Sequence, residues 1–126
     1  MLEEDPARAE EVWKLLTWNG GGLNSQADAT ATLINCTFSG NSANVGGGLF
    51  HASSVTATLT NCIMWSDSPQ EVYVSSGTVT ATYSNIGGGY TGVGNIASDP
   101  LFVNAAADDF HLQTGSPCIG TGESGA

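Results

Sequence analysis

Apolar and polar residues alternate with a period of two through much of this chain, and the alternation restarts on a regular beat. Ala29, Ala31 and Leu33 alternate with Thr30 and Thr32; Val55, Ala57 and Leu59 with Thr56 and Thr58; Val79, Ala81 and Tyr83 with Thr80 and Thr82. Alternation of this kind turns one set of side chains inward and the other to solvent along a half-buried strand. Each run ends on an asparagine (Asn35, Asn61, Asn85), and the first two continue into Cys36 and Phe38, then Cys62 and Met64. The blocks start at residues 30, 56 and 80, and Gly20-Gly21-Gly22-Leu23 returns as Gly46-Gly47-Gly48-Leu49 with the same 26-residue step. Self-similarity with a period of about 20–50 residues marks stacked repeat units. The expectation is a stack of short β-coils with small interior residues, outward threonines, and an asparagine ladder at one corner.

The first segment has a different period. Asp5-Pro6 is a helix-start signal, Ala9, Val12, Trp13 and Leu16 fall at helical spacing, and Asn19-Gly20 supplies a stop. The spacing predicts an amphipathic helix over residues 6–17, within a capping segment 1–19 ahead of a β domain spanning 20–126. Trp13 and Leu16 would then cover the open end of the stack, which otherwise exposes unpaired edges.

Charge narrows the partners. Twelve acidic residues face two basic ones, for a net charge of −10 over 126 residues. Such a chain has almost nothing with which to neutralise phosphates, so nucleic acid is excluded as a partner. An anionic membrane surface is disfavoured for the same reason, and no apolar run reaches the length of a membrane span. The start, with Glu3, Glu4 and Asp5, is the reverse of a signal peptide, which leaves localisation open between the cytoplasm and export. Three cysteines at spacings of 26 and 56 residues fit no metal motif. Cys36 and Cys62, at equivalent repeat positions, are expected as reduced interior thiols.

The run Asn35-Cys36-Thr37-Phe38-Ser39-Gly40-Asn41-Ser42-Ala43, the glycines 46–48 and the restart into Asn61-Cys62 resemble parallel β-helix proteins of the pectin-lyase-like superfamily. The tail, from Asp99-Pro100-Leu101-Phe102-Val103 through Phe110-His111-Leu112 to Pro117-Cys118-Ile119-Gly120, is similar to the endings of bacterial secreted members. The resemblance implies an all-β fold: a right-handed parallel β-helix (solenoid) of about three to four coils, with the N-terminal α-helix as cap and the tail closing the far end. It also implies a secreted or cell-surface setting.

Catalytic chemistry is thin. Polysaccharide lyases of this resemblance use a basic residue and bound Ca²⁺, yet Arg8 and Lys14 both lie on the expected cap. Hydrolases need two carboxylates at set separations, and Asp108, Asp109 and His111 form the one such cluster, placed in the tail. His51 has no equivalent ligand in neighbouring repeats, and Asp67 and Glu71 are expected as solvated loop acids. No metal or other cofactor is expected. The favoured function is therefore a non-catalytic structural or surface-recognition module taking a glycan or a protein partner, with Trp65 and Tyr73 as its exposed aromatics. A remnant polysaccharide-active enzyme is one alternative. Another is an ice-binding face made by Thr30, Thr32, Thr56, Thr58, Thr80 and Thr82, on strands about 4.8 Å apart. An apolar end left open would favour a homodimer.

Overall fold

The computed structural model describes residues 11–13, 22–27 and 30–123, with the backbone alone for 11–13 and 27. Ten strands follow in order: β1 Glu11–Trp13, β2 Leu23–Ala27, β3 Thr32–Ile34, β4 Cys36–Ser39, β5 Leu49–Thr60, β6 Ile63–Trp65, β7 Val72–Thr82, β8 Asn85–Ile86, β9 Phe102–Asn104 and β10 Asp109–Leu112. A single 3-10 turn, Ala105–Ala107, joins the last two.

They form three small sheets. One is the parallel row β1-β4-β6-β8. In the second, the 12-residue β5 pairs in parallel with β2 along its first part, β3 along its last part, and β7 along its opposite edge. The third is the antiparallel pair β9–β10.

This corrects the expected right-handed parallel β-helix of three to four coils with a capping helix. Among the described residues there is no α-helix, and the strands gather in small sheets that do not make a solenoid. Glu11–Trp13, the middle of the expected helix over 6–17, is a strand paired in parallel with β4 through Val12↔Thr37 and Trp13↔Phe38. Val and Trp suit a pleated surface, and the unpaired edge of β4 offers ladder hydrogen bonds that outweigh a weak helical stripe. The remainder of that helix lies outside the described residues.

The repeat step is also corrected. The first step of 26 holds, as Leu23↔Leu49, Thr32↔Thr58 and Thr37↔Ile63 show. The next is not the 24 suggested by the Thr-Ala-Thr letters: Thr58 faces Thr80 and Ile63 faces Asn85, 22 residues on. A slip by an even number keeps each side chain on its face. The inner columns thus become Ala57 with Val79 and Leu59 with Ala81, and burial rather than sequence identity sets the register.

The asparagine corner shifts with it. Asn35 and Asn61 occupy left-handed backbone at φ 58° and 56°, but the third such residue is Tyr83 at φ 51°. Asn85 sits two positions further on and is fully buried. Its amide donates to the Ser98 carbonyl (2.6 Å) and accepts from the Ser98 N–H (3.0 Å). Two asparagines, not three, therefore stand at the corner.

Two cores follow from the alternation in β4, β6 and β8. On one face Cys36, Phe38, Cys62, Met64 and Ile86 meet Leu49, Ala57, Leu59, Val79 and Ala81. Complete burial of a Leu such as Leu49 or Leu59 contributes about 1.5–3 kcal/mol. On the other face Ile63 packs with Cys118, Trp65, Ile96, Phe102 and Leu112. The tail thus covers a sheet face instead of closing an end. The late edge is covered by the segment that follows β8: Tyr90 Oη donates to the Val79 carbonyl, and Asn95 Nδ2 to that of Ala81. These bonds satisfy strand groups that would otherwise be orphaned.

Candidate functional site

Asp109 and His111 lie two apart on β10 and touch each other, His111 Nδ1 to Asp109 Oδ1 at 2.6 Å, with both side chains well exposed. The His111 ring holds the Asp109 carboxyl below its ordinary range. Asp108 is the exposed left-handed residue after the 3-10 turn. Among the described residues they belong to no group of three His, Cys, Asp or Glu that could hold a metal ion.

His51 is fully buried. Its Nε2–H donates to the Val55 carbonyl (2.8 Å), and its Nδ1 accepts from Ser25 Oγ (3.1 Å). Both ring nitrogens are thereby used within the fold. Among the described residues no group of three or more His, Cys, Asp or Glu could hold a metal ion. Nor does any described helix have the length and apolarity to cross a membrane.

Threonines make partial rows. Thr32, Thr58 and Thr80 are in direct register, and Thr56 pairs with Thr78 instead of Thr80. Thr30 lies just before β3, and Thr82 pairs with Thr60. Thr30, Thr32, Thr56 and Thr80 are exposed, whereas Thr58 and Thr82 are half-buried.

The two expected aromatics separate. Tyr73 stacks on Phe50 across β5 and β7, ring centroids 5.7 Å apart and nearly coplanar in orientation. Trp65 belongs to the other sheet and lines a cleft of about 420 Å³ with Ser39, Ser66, Asp99, Phe102 and Gln113. The register explains that cleft. Ser39 pairs with Trp65 across the strands, and on the other side Gly87, whose N–H bonds to the Met64 carbonyl, lies against the Trp65 ring. Two small residues flank a large one, so the indole is left partly uncovered. The tail supplies the opposite wall, where Phe102 and Phe110 pack edge to face at 5.1 Å.

Asp67 and Glu71 are not the solvated acids expected of a loop. Asp67 is 6% exposed. Asn41, 26 residues earlier, donates its backbone N–H (2.8 Å) and its Nδ2 (3.0 Å) to Asp67 Oδ1. The Asp67 N–H is shared between both Glu71 oxygens at 3.3 Å. Asp67 Oδ2 is buried and has no fixed N–H or O–H donor. The carboxyl that Asp67 bonds through its N–H, that of Glu71, is its acidic neighbour in the loop. Burial, then the hydrogen bond to Asp67 and the charge of Asp67, push Glu71 up to about 9. Burial raises Asp67 as well, opposed by its bonds from Glu71 and Asn41. The pair therefore keeps one proton well above the ordinary carboxylate range. The pair borders a second cleft of about 270 Å³, opposite Gly87, Gly88, Gly89 and Tyr90. A signal for this site was present in the sequence. Gly40-Asn41-Ser42 and Ser66-Asp67-Ser68 are 26 residues apart, with Gly40 and Ser66 both at positive φ, so Asn41 and Asp67 are repeat equivalents.

The thiols form a column. Cys36 Sγ donates to the Ile34 carbonyl, Cys62 Sγ to that of Thr60, and Ser84 Oγ to that of Thr82, each two residues back. All three cysteines are free and buried. The neighbouring Cys36 thiol, followed by burial, raises Cys62 well above its usual range, and burial raises Cys118. These are unreactive core groups. No family model matches the chain, nor does any curated protein or solved structure.

Proposed function

We propose that the chain is a non-catalytic recognition module that binds a neutral glycan in the Trp65 cleft. The partly uncovered indole, walled by Asp99, Gln113, Ser39 and Ser66, carries this reading. An aromatic face takes the C–H face of a sugar ring, and short polar side chains around it fix the hydroxyls. The net charge of −10 argues against polyuronides and other acidic chains.

Non-catalytic action is supported by the carboxyl geometry. Glycosidases hold their two carboxyl groups about 5–10 Å apart with a sugar between them. Asp67 and Glu71 are instead joined directly, the Asp67 N–H to the Glu71 carboxyl, and the Asp109 carboxyl meets His111. Titrating a panel of neutral and acidic oligosaccharides, followed by calorimetry and by NMR of the Trp65 indole N–H, tests the proposal. Saturable binding of a neutral oligosaccharide is expected, abolished in Trp65→Ala and kept in Tyr73→Ala, with no release of sugar fragments. Absence of binding across the panel, or equal loss in both variants, would overturn it.

The in-register row Thr32–Thr58–Thr80 favours a second reading, an ice-binding face. Thermal hysteresis lost in Thr58→Val and Thr80→Val would support it. Inert solutions would end it.

A further inference from the structure

The 66–71 loop is fastened along its whole length to the preceding repeat. The Ser68 N–H donates to the Asn41 carbonyl, the Ala43 N–H to that of Ser68, and the Leu49 N–H to that of Glu71. The Gly46 N–H donates to Gln70 Oε1 (2.9 Å), and Asn41 grips Asp67 twice. At the centre sits the carboxyl pair, with Asp67 Oδ2 buried and without a fixed donor. The loop begins at Ser66, which lines the Trp65 cleft beside Trp65 itself. A side chain at Gly87 would press on both Glu71 Oε1 (2.8 Å) and the Trp65 ring (3.3 Å), so carboxyl and indole rest against one backbone position.

We propose that Asp67 and Glu71 form a proton-held latch. One proton shared by the two carboxyl groups keeps the 66–71 loop docked, and its loss in alkaline solution loosens the loop and the cleft that the loop shapes. A cation cannot easily replace the proton. A Ca²⁺ ion needs six to eight oxygen ligands, and the described residues offer no group of three candidate side chains. Catalysis is unsuited to the pair because Asp67 Oδ2 is sealed from solvent.

Among the described residues, those around the pair carry no positive charge. From β6 come Met64 and Trp65, from the 40–48 loop Asn41 and Gly48, and from the segment after β8 Gly87 and Tyr90. Among the described residues Tyr90 is the one other titratable group on that cleft, and its hydroxyl is bonded to the Val79 carbonyl. When Glu71 ionises, the half-buried Glu71 carboxylate and the buried Asp67 carboxylate carry like charges with no base among the described residues beside them, and repulsion opens the loop. Burial and the Asp67 charge place that event near pH 9.

Carbon-13 carboxyl NMR on the full chain reads the latch without any ligand. Glu71 is expected to titrate several units above an ordinary glutamate, with amide exchange across 66–71 accelerating over the same range beyond that of β5. Glu71→Gln keeps a donor for Asp67 Oδ2, and its loop exchange should lose that extra pH dependence. A Glu71 carboxyl titrating like a model glutamate overturns the latch, as does loop exchange that keeps its alkaline step in Glu71→Gln. The coupling to the cleft rests on the recognition reading. Absence of glycan binding at every pH defeats that reading and leaves the NMR result standing. Glycan affinity unchanged across the Glu71 titration removes the coupling alone.

Discussion

Asn61 meets three demands with one short side chain. It holds left-handed backbone at φ 56°, its Nδ2 donates to the Glu123 carbonyl (3.0 Å), and its Oδ1 accepts from the Glu123 N–H (2.7 Å). Asparagine tolerates that backbone because its amide bonds locally, and glycine tolerates it without a side chain. Asn61→Gly should therefore lose only the two tail bonds, each about 0.5–1.5 kcal/mol. Asn61→Ala should lose those and add about 1–2 kcal/mol of backbone strain. Urea unfolding of the pair measures the difference; equal costs would mean the corner relaxes out of the left-handed region. Sequence showed Asn35 and Asn61 as corner residues because asparagine advertises that backbone. Tyr83 does not, and it takes the third corner because its N–H bonds to the Val93 carbonyl while the chain turns. Similarly, Asp67 looked like any loop acid, since neither its burial nor the approach of Glu71 can be read from a charge in a string. Only its 26-residue relation to Asn41 gave it away.

Among the elements, β4 and the second half of β5 were legible because they alternate, and β6 because Cys62 and Met64 stand one 26-residue step from Cys36 and Phe38. β7 was found but mis-registered. Its Thr80-Ala81-Thr82 copies the letters of Thr56-Ala57-Thr58, yet the structure pairs Thr78 with Thr56. The extra length is absorbed between His51 and Thr56, where the β5–β7 register shifts twice. Gly77, at φ 77°, is part of that adjustment, and a Cβ there would overlap the Ser53 carbonyl. Gly89 has a similar φ of 89° but open space around its Cα. Gly89→Ala should thus cost about 1–2 kcal/mol of backbone strain, and Gly77→Ala distinctly more, with faster amide exchange in β5 around 52–56. Equal costs would show that the irregular stretch is loose. The expected N-terminal helix failed for a related reason. A helical stripe such as Ala9, Val12, Trp13 and Leu16 states what the segment could bury, but not that a strand edge would be vacant beside it. The Trp65 cleft was half legible. The exposed aromatic could be guessed, whereas its wall depends on where the tail packs.

The whole molecule carries a charge of −10, and two effects on stability share that origin while differing in reach. Surface acids repel one another through solvent. This repulsion extends over a Debye length of about 30 Å in 0.01 M salt and about 3 Å in 1 M salt, so added salt should stabilise the fold. The Glu71 effect is local and half-buried, and salt screens it less. Its sign follows from proton binding. The folded carboxyl holds its proton up to about 9, while the ordinary value is 4.5, so between these the folded state binds more protons than the unfolded one. Stability from this group is complete below the lower value and declines as pH rises through the upper one. Asp109, lowered by His111, acts in the opposite direction at acid pH, but its exposure to solvent keeps the effect small. Denaturation midpoints measured from about pH 5 to pH 9, in salt near 0.01 M and near 1 M, separate the two effects. At low salt the midpoint should fall with rising pH through both. At high salt general repulsion is screened, and the remaining fall should belong to the pair and vanish in Glu71→Gln. If high salt alone flattens the profile of the unmodified chain, the carboxyl pair has no part in its pH dependence. A profile that Glu71→Gln flattens at either salt concentration puts the pH sensitivity in one loop, 66–71, which also begins the wall of the Trp65 cleft.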